Sequence, residues 1–248
     1  MEKKDFIYGR NPIIEHLESG GTFEQILIQK GIDREVSGRI MELAKVQRLP
    51  VQIVPHHRMD RVTRKNHQGV IGFTAWVVYD VLSVIVQDCY ERGDVPLVLI
   101  LDRITDVRNM GAIARSAEIF GATAIVLPMK ESAMVNADAV KTSAGAILNV
   151  KLCREKSLSH AVRMLRDMGL KICVADQGAP SMLADLDFKS PTAIIMGSER
   201  LGVDTSLRAK ADSTFAIPQL GKTESLNVSV ATGIVLYEVV RQRKQLST

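Results

Sequence analysis

Three polar segments of this 248-residue chain carry the residues that could do chemistry, and each follows an apolar run typical of a buried strand. The first holds Asn109, Gly111 and Arg115, the second is residues 197–202, and the third is residues 217–227. They place amide, hydroxyl and carboxylate groups beside glycines, where a ligand can approach backbone N–H groups closely. Since ligands of open α/β sheets bind at strand ends, we expect the three segments to line one crevice.

Each segment also has a purely structural interpretation. Asn109 and Ser198 could cap the helices that follow them, and so could Ser225 or Asn227 at the start of the last helical pattern. Glu199 is a candidate hydrogen-bond acceptor or general base, but a helix N-terminus also favours a carboxylate. Taken singly, the segments leave both interpretations open.

Arg115 lies six residues beyond Asn109, roughly one and a half helical turns, and we therefore expect it to point back toward the same crevice. The fixed fork of donors on a guanidinium suits an RNA phosphate. Gly111 is the only glycine between Leu97 and Phe120, whereas the dinucleotide-binding fingerprint needs several after its first strand. A nucleotide-binding oxidoreductase is therefore disfavoured.

The apolar runs and helical patterns around these segments predict a parallel sheet with helices on both faces. Continuous apolar runs predict strands buried on both sides at residues 97–101, 124–127, 171–175 and 193–196. Helical patterns lie between or after them, at residues 110–120, 158–168 and 228–243. We expect this domain to cover residues 95–248, after a linker with a short helix at residues 76–94.

Residues 1–75 predict a smaller α/β domain. Apolar runs predict strands at 26–28, 51–54 and 70–73, and a helical pattern lies around 36–49. Asn11 is placed to cap a short first helix that has Pro12 at its first position.

Most of the excess positive charge of the chain also lies in its first 75 residues. A basic stripe there ends in Asn66, His67 and Gln68, and it is a plausible phosphate contact. The stripe consists of Arg58, Arg61, Arg64 and Lys65. An ordinary solvated face is the alternative.

Composition excludes several other classes. The three cysteines are odd in number and lack C-x-x-C spacing, which favours buried, reduced thiols over disulfides or a zinc site. His56 and His57 are adjacent, and on a strand they would face opposite sides rather than one metal ion. We find no secretory segment at the amino terminus and no apolar stretch near the roughly 20 residues of a membrane span. We expect a cytoplasmic protein that binds no metal.

In this order the three polar segments closely resemble the signature motifs of the SpoU (TrmH-type) RNA 2′-O-ribose methyltransferases of the SPOUT superfamily. The matching residues are Asn109, Gly111 and Arg115 in motif one, Gly197, Glu199 and Gly202 in motif two, and Ile217, Pro218, Ser225, Leu226 and Asn227 in motif three. The first 75 residues resemble the SpoU substrate-binding domain, which is similar to ribosomal protein L30e. Segments 8–12 and 67–70 carry that second similarity.

The resemblance implies a homodimer that methylates a ribose 2′-hydroxyl of RNA with S-adenosyl-L-methionine, through a catalytic domain containing a trefoil knot. The extra amino-terminal domain favours a guanosine of 23S rRNA over tRNA. The implied catalytic residues are Arg115, Asn109, Glu199, Ser225 and Asn227. The implied cofactor-binding residues are Met196, Gly197, Ile217, Leu220, Ser225 and Leu226. The candidate RNA-binding residues are Arg10, Arg58, Arg61, Arg64, Lys65, His67 and Gln68.

The chain departs from the family pattern at three positions. Arg103 and Arg200 stand where glycine is common, and Val107 replaces the proline that usually follows the aspartate at Asp106. None of these changes removes a catalytic position. The rival from another class is a catalytically silent RNA-binding assembly factor, against which the intact motif residues argue.

Overall fold

The computed structural model describes residues 6–223 and 225–244, so Glu224 of the third polar segment lies outside the described residues. The described chain up to Trp76, together with Val135–Ala137, forms one compact unit. Val77–Met134 and the described residues from Asp138 onward form the other.

A four-stranded mixed sheet with helices forms the amino-terminal unit. Its strands are β1 (Phe6–Tyr8), β2 (Phe23–Gln29), β3 (Val51–Val54) and β4 (Val70–Thr74), and its helices are α1 (Arg10–Glu18), α2 (Arg34–Val46) and α3 (His56–Asp60). The strand order is β1–β4–β2–β3, with β2 and β3 parallel and the other pairs antiparallel. Ile13, Phe23 and Ile40 join the helices to the sheet in one core. The three predicted strands and α2 are confirmed.

Two local predictions for this unit are wrong. Helix α1 begins at Arg10 with Gly9 as its N-cap, and not after Asn11. The Gly9 N–H donates to the carbonyl of Val70 at 3.0 Å, so pairing with β4 sets the turn two residues earlier than the side-chain pattern indicated. His56 lies on α3 rather than on a strand, because that short helix carries too few residues to show a helical period.

A seven-stranded sheet forms the second unit. Its strands are β5 (Tyr79–Asp80), β6 (Leu97–Asp102), β7 (Ala124–Pro128), β8 (Leu152–Glu155), β9 (Lys171–Ala175), β10 (Thr192–Gly197) and β11 (Ser213–Phe215). The helices are α4 (Leu82–Glu91), α5 (Val107–Ile119), α6 (Ala137–Thr142), α7 (Leu158–Asp167), α8 (Thr205–Arg208) and α9 (Val228–Lys244).

The order of the large sheet is β11–β9–β10–β6–β7–β8–β5, and all its neighbours are parallel. The predicted parallel sheet is therefore confirmed, and the trefoil knot stays a prediction. Strands β5 and β11 escaped prediction because two and three residues are too short for a pattern. Strand β8 escaped because only its first two residues are buried, so it has no continuous apolar run.

Burial on both faces of the sheet explains the continuous apolar runs. Every residue of β6 is buried, and Leu82, Val86 and Leu165 are among the helical residues in the same core as the sheet. The three cysteines are free and buried, as predicted. Burial raises the pKa of Cys153 to about 12 and that of Cys173 to about 11, which makes both thiols poor nucleophiles. None of the described helices has the length and apolar character needed to cross a membrane.

Arg243 anchors α9 to the amino ends of the strands, and we predict a large loss of stability on its removal. Its guanidinium donates to the carbonyls of Val95 (2.7 Å), Pro96 (3.0 Å) and Phe188 (3.0 Å), and burial lowers its pKa. Replacing Arg243 with alanine should lower the free energy of unfolding by about 3 kcal/mol, because three backbone carbonyls lose a charged donor and two of these hydrogen bonds are partly buried. Urea denaturation measures this change.

Arg241 offers the matched control for that prediction. It lies on the same helix, its side chain is 42% exposed, and it pairs with Glu238, so Arg241→Ala should destabilise the chain much less than Arg243→Ala does. Equal effects of the two substitutions would contradict the anchoring role of Arg243.

Candidate functional site

A cavity of about 260 Å³ opens at the carboxyl ends of the adjacent strands β11, β9 and β10. We call it the strand-end cavity. Five of the six residues predicted to bind a cofactor line it, namely Met196, Gly197, Ile217, Ser225 and Leu226. Leu220 is fully exposed and does not line the cavity, so its predicted contact with the cofactor stays a prediction.

Sequence reasoning missed the residues that follow β9. Asp176 and Gln177 line the strand-end cavity, and so does Gln219. The Asp176 carboxylate lies 2.6 Å from Arg208 Nη2, and its Oδ1 accepts the Gly178 N–H at 3.3 Å. Since β9 was itself predicted, the rule that ligands bind at strand ends could have identified this pair of side chains.

Three predicted catalytic side chains form one hydrogen-bonded network. The Oε1 atom of Glu199 accepts hydrogen bonds from Asn109 Nδ2 (3.2 Å), Asn227 Nδ2 (2.7 Å) and the Val228 N–H (3.2 Å). The Nδ2 group of Asn227 also donates to Asn109 Oδ1 at 2.9 Å. Residues from all three polar segments therefore meet at one carboxylate, as the sequence predicted.

The network lies between two cavities. A second cavity of about 400 Å³ is lined by Asn109 and Arg103, and it shares Glu199, Arg200 and Ser198 with the strand-end cavity. We call it the neighbouring cavity. Glu199 therefore belongs to the wall that both cavities share, where a group bound in one can face a group bound in the other.

The helix caps show which of these polar side chains are used for capping. Asp106 caps α5 by accepting from the N–H groups of Arg108 (2.7 Å) and Asn109 (2.9 Å), which leaves the Asn109 side chain free for the network. Asn227 does both jobs, because its Oδ1 accepts the Ser229 N–H at 2.9 Å while its Nδ2 reaches Glu199. Asn227 therefore caps α9 and also contacts Glu199, so its capping role does not exclude the predicted catalytic role.

Arg115 is absent from both cavities of the single chain. It is exposed on α5 and has no hydrogen bond or ion pair with any described residue. The expectation that it would point into the crevice is wrong, because six residues at about 100° each leave a side chain about 120° away from Asn109 around the helix.

The turn after β10 is folded tightly against itself. The Gly202 N–H donates to the Ser198 carbonyl at 2.8 Å. A Cβ atom added at Gly197 would lie 2.1 Å from the Gly202 carbonyl carbon and 2.3 Å from the Val203 nitrogen. Only glycine allows this approach, so Gly197 determines the shape of the loop that carries Glu199.

The predicted RNA-binding residues gather only in part. Five of the seven line a cavity of about 480 Å³ in the amino-terminal unit, namely Arg10, Arg64, Lys65, Gln68 and the buried His67. Gln68 holds Arg10, since its Oε1 accepts the Arg10 backbone N–H and its carbonyl accepts Arg10 Nε, both at 3.1 Å. Pairing of β1 with β4 brings these two residues together across 58 positions of sequence. The exposed side chains of Arg58 and Arg61 do not line this cavity.

His67 has a supporting position and not an open contact surface. Its buried ring accepts the Gly69 N–H on Nδ1 at 3.0 Å, so the neutral ring carries its proton on Nε2, which faces Asp60 Oδ1 at 3.5 Å. His56 Nε2 lies 3.4 Å from Asp60 Oδ2, and all three residues offer ligand atoms within 4.8 Å of one another. We interpret the three residues as a polar contact that supports α3, and the absence of a bound metal stays a prediction.

Family models match both units of the chain. The SpoU rRNA Methylase family model matches residues 96–237, and a model described as RNA 2′-O ribose methyltransferase substrate binding matches residues 6–75. The putative TrmH family tRNA/rRNA methyltransferase YacO of Bacillus subtilis is 31% identical over 242 residues, which are 98% of this chain and 97% of that protein.

Solved structures resemble the chain over nearly its whole length. The SpoU methyltransferase AviRb from Streptomyces viridochromogenes, in complex with the cofactor AdoMet, superposes with a TM-score of 0.61 at 25% identity, over 97% of this chain and 90% of that one. An AdoMet-bound rRNA methyltransferase from Sinorhizobium meliloti gives a TM-score of 0.58 at 25% identity, over 95% and 86%.

Proposed function

This chain belongs to the SpoU rRNA methylase family, and from that premise we propose that it methylates a ribose 2′-hydroxyl of a guanosine in 23S rRNA. It is an S-adenosylmethionine-dependent methyltransferase that acts on tRNA or rRNA. A substrate-binding domain at residues 6–75 and the likeness to an rRNA methyltransferase over 95% of the chain support rRNA as the substrate. The observation that carries the proposed chemistry is the meeting of all three motifs at Glu199.

The strand-end cavity suits S-adenosylmethionine by the chemistry of its wall. Met196, Ile217 and Leu226 supply apolar surface for an adenine ring, while Asp176 and Ser225 supply polar groups for a ribose and an amino acid. The cofactor supplies an electrophilic methyl group on a positively charged sulfur, which leaves as a neutral thioether. The protein has to align the 2′-hydroxyl with that methyl group and help remove one proton.

We assign Glu199 the role of orienting the reacting groups at the wall between the two cavities. Three donors converge on its Oε1, which holds the carboxylate in one position, and its Oε2 accepts no hydrogen bond from any described residue. That second oxygen can accept a hydrogen bond from a ribose hydroxyl in the neighbouring cavity. Asn109 and Asn227 hold the carboxylate in place for this contact.

A second copy of the chain is proposed to bring Arg115 to the site. Arg115 and Ile119 are neighbours on α5, one turn apart, and Ile119 is 63% exposed. Helix α5 packs against α9, whose Val230 and Tyr237 are also exposed apolar residues, and Tyr237 contacts the ring of Phe120. An exposed apolar face beside an unpaired arginine fits a homodimer in which Arg115 clamps RNA in the partner's site.

The amino-terminal unit is proposed to bind phosphate groups of the RNA. Arg10, Arg64 and Lys65 present positive charge around one cavity, and Gln68 fixes the position of Arg10. Phosphate contacts of this kind set position along an RNA without reading its sequence.

Calorimetry with S-adenosylmethionine and methylation of RNA test the proposal together. We expect one cofactor site per chain, and a 2′-O-methylguanosine in 23S rRNA fragments that mass spectrometry locates. Methylation of tRNA alone would replace the proposed substrate and leave the reaction in place. No cofactor binding at all would favour the silent assembly factor.

A further inference from the structure

Arg103 holds an unfavourable backbone conformation at the end of β6. Its φ is +58°, in the left-handed region that costs a residue with a Cβ about 1–2 kcal/mol relative to glycine. Its Nε is also buried without a hydrogen-bond partner among the described residues. An arginine that carries both costs should contribute something that glycine could not.

The guanidinium of Arg103 fastens β6 to the loop after β10. Its Nη2 donates to the Gly202 carbonyl at 3.2 Å and lies 3.2 Å from Asp102 Oδ2. The same carboxylate oxygen accepts the Asp204 N–H at 2.7 Å. The Asp102 and Arg103 side chains are only 8% and 24% exposed, so water competes weakly for these bonds. Together they hold the second arm of the loop at both Gly202 and Asp204.

Holding the second arm also holds the first. Gly202 bonds back to Ser198, and Gly197 lies so close to Gly202 that the two arms cannot shift independently. The first arm carries Glu199, and Gly197, Ser198 and Glu199 all line the strand-end cavity. The position of Gly202 is therefore transmitted to the cavity wall.

We propose that Arg103 is a positioning residue, which locks the 197–204 loop into the shape that binds S-adenosylmethionine before the cofactor arrives. The inference rests on the proposed function. A preformed loop binds more tightly because the ordering entropy has been lost on folding and not on binding. Arg103 lines the neighbouring cavity but not the strand-end cavity, so in this role it acts on the cofactor only through the loop.

Arg103→Gly separates this role from a contribution to stability. Glycine relieves the left-handed strain while it removes the lock, so the melting temperature should stay within about 2 °C of the wild type. The dissociation constant for S-adenosylmethionine, measured by calorimetry, should rise about tenfold. The amide protons of Gly202 and Asp204 should exchange with solvent faster.

Arg48→Gly is the matched control. Arg48 is an exposed arginine in the other unit with φ +55°, and its side chain has no hydrogen bond or ion pair with the described residues. This substitution should raise the melting temperature slightly and leave cofactor affinity unchanged. Arg103→Ala keeps the strain without the lock, so it should weaken binding as much as glycine does but also lower the melting temperature.

Unchanged cofactor affinity in Arg103→Gly would overturn the positioning role, and so would an equal loss in Arg48→Gly. If the loss of cofactor affinity in the three variants simply followed the fall in their melting temperatures, Arg103 would contribute to stability alone. A wild-type chain that binds no S-adenosylmethionine would refute the proposed function instead. In that case amide hydrogen exchange at Gly202 and Asp204 would still show whether Arg103 holds the loop. Equal exchange rates in Arg103→Gly and the wild type would reject that role.

Discussion

Replacing Gly197 with alanine is expected to weaken S-adenosylmethionine binding at least about 100-fold. The added methyl group would lie 2.1 Å from the Gly202 carbonyl carbon and 2.3 Å from the Gly202 oxygen, both of which are backbone atoms that no rotamer change can move. The loop must therefore open, which displaces Glu199 and the wall of the strand-end cavity. Calorimetry measures the affinity, and thermal unfolding shows whether the rest of the chain stays folded.

Gly221→Ala is the control for steric effects of alanine in the same unit. A Cβ at Gly221 would meet no heavy atom within 4 Å, so this variant should bind the cofactor as the wild type does. Near-normal affinity in folded Gly197→Ala would show that the tight turn is dispensable for binding. Loss of affinity in both variants would point to a property of glycine other than the close approach.

Replacing Arg115 with alanine is expected to lower kcat by about 10²–10³-fold while the dissociation constant for S-adenosylmethionine changes less than twofold. A guanidinium that stabilises charge in a transition state contributes on this scale, and Arg115 lines neither cavity of its own chain. Single-turnover methylation with saturating RNA measures the chemical step. Arg108→Ala, an exposed arginine on the same helix, should leave kcat nearly unchanged.

Mixing subunits tests whether Arg115 acts across a dimer. Inactive Arg115→Ala and inactive Glu199→Ala chains, refolded together in equal amounts, should recover about a quarter of the wild-type activity, because half of the dimers then contain one intact site. A mixture without activity, although mixed dimers form, would mean that Arg115 serves its own chain. Full activity of Arg115→Ala alone would remove the residue from the mechanism.

Local patterns predicted the elements and failed at their boundaries. The buried strands β6, β7, β9 and β10 were predictable because a strand covered on both faces must be apolar throughout. The start of α1 was not predictable, because a hydrogen bond from Gly9 to β4 determines it and the residues around Gly9 do not indicate that contact. His56 was misplaced for a similar reason, because α3 spans too few residues to show a period.

The residues of the candidate site were also predictable only in part. Asn109, Glu199 and Asn227 could be singled out because ligands of α/β sheets bind at strand ends, and their segments meet at Glu199. Asp176 and Gln177 were overlooked although they follow a predicted strand. The prediction for Arg115 is wrong because a side chain six residues further along a helix is also turned about 120° around the helix axis.

The amino-acid sequence by itself determined the parallel sheet, the family and the three segments that form the site, because buried strands and polar strand ends leave their mark in residue type. Only the tertiary structure decided that Asn109 reaches both Glu199 and Asn227, and that Arg103 fastens the Gly202 loop. These features depend on distances between residues some 90 to 120 positions apart. Such distances are set when helices and strands pack, and no local pattern of residues encodes them.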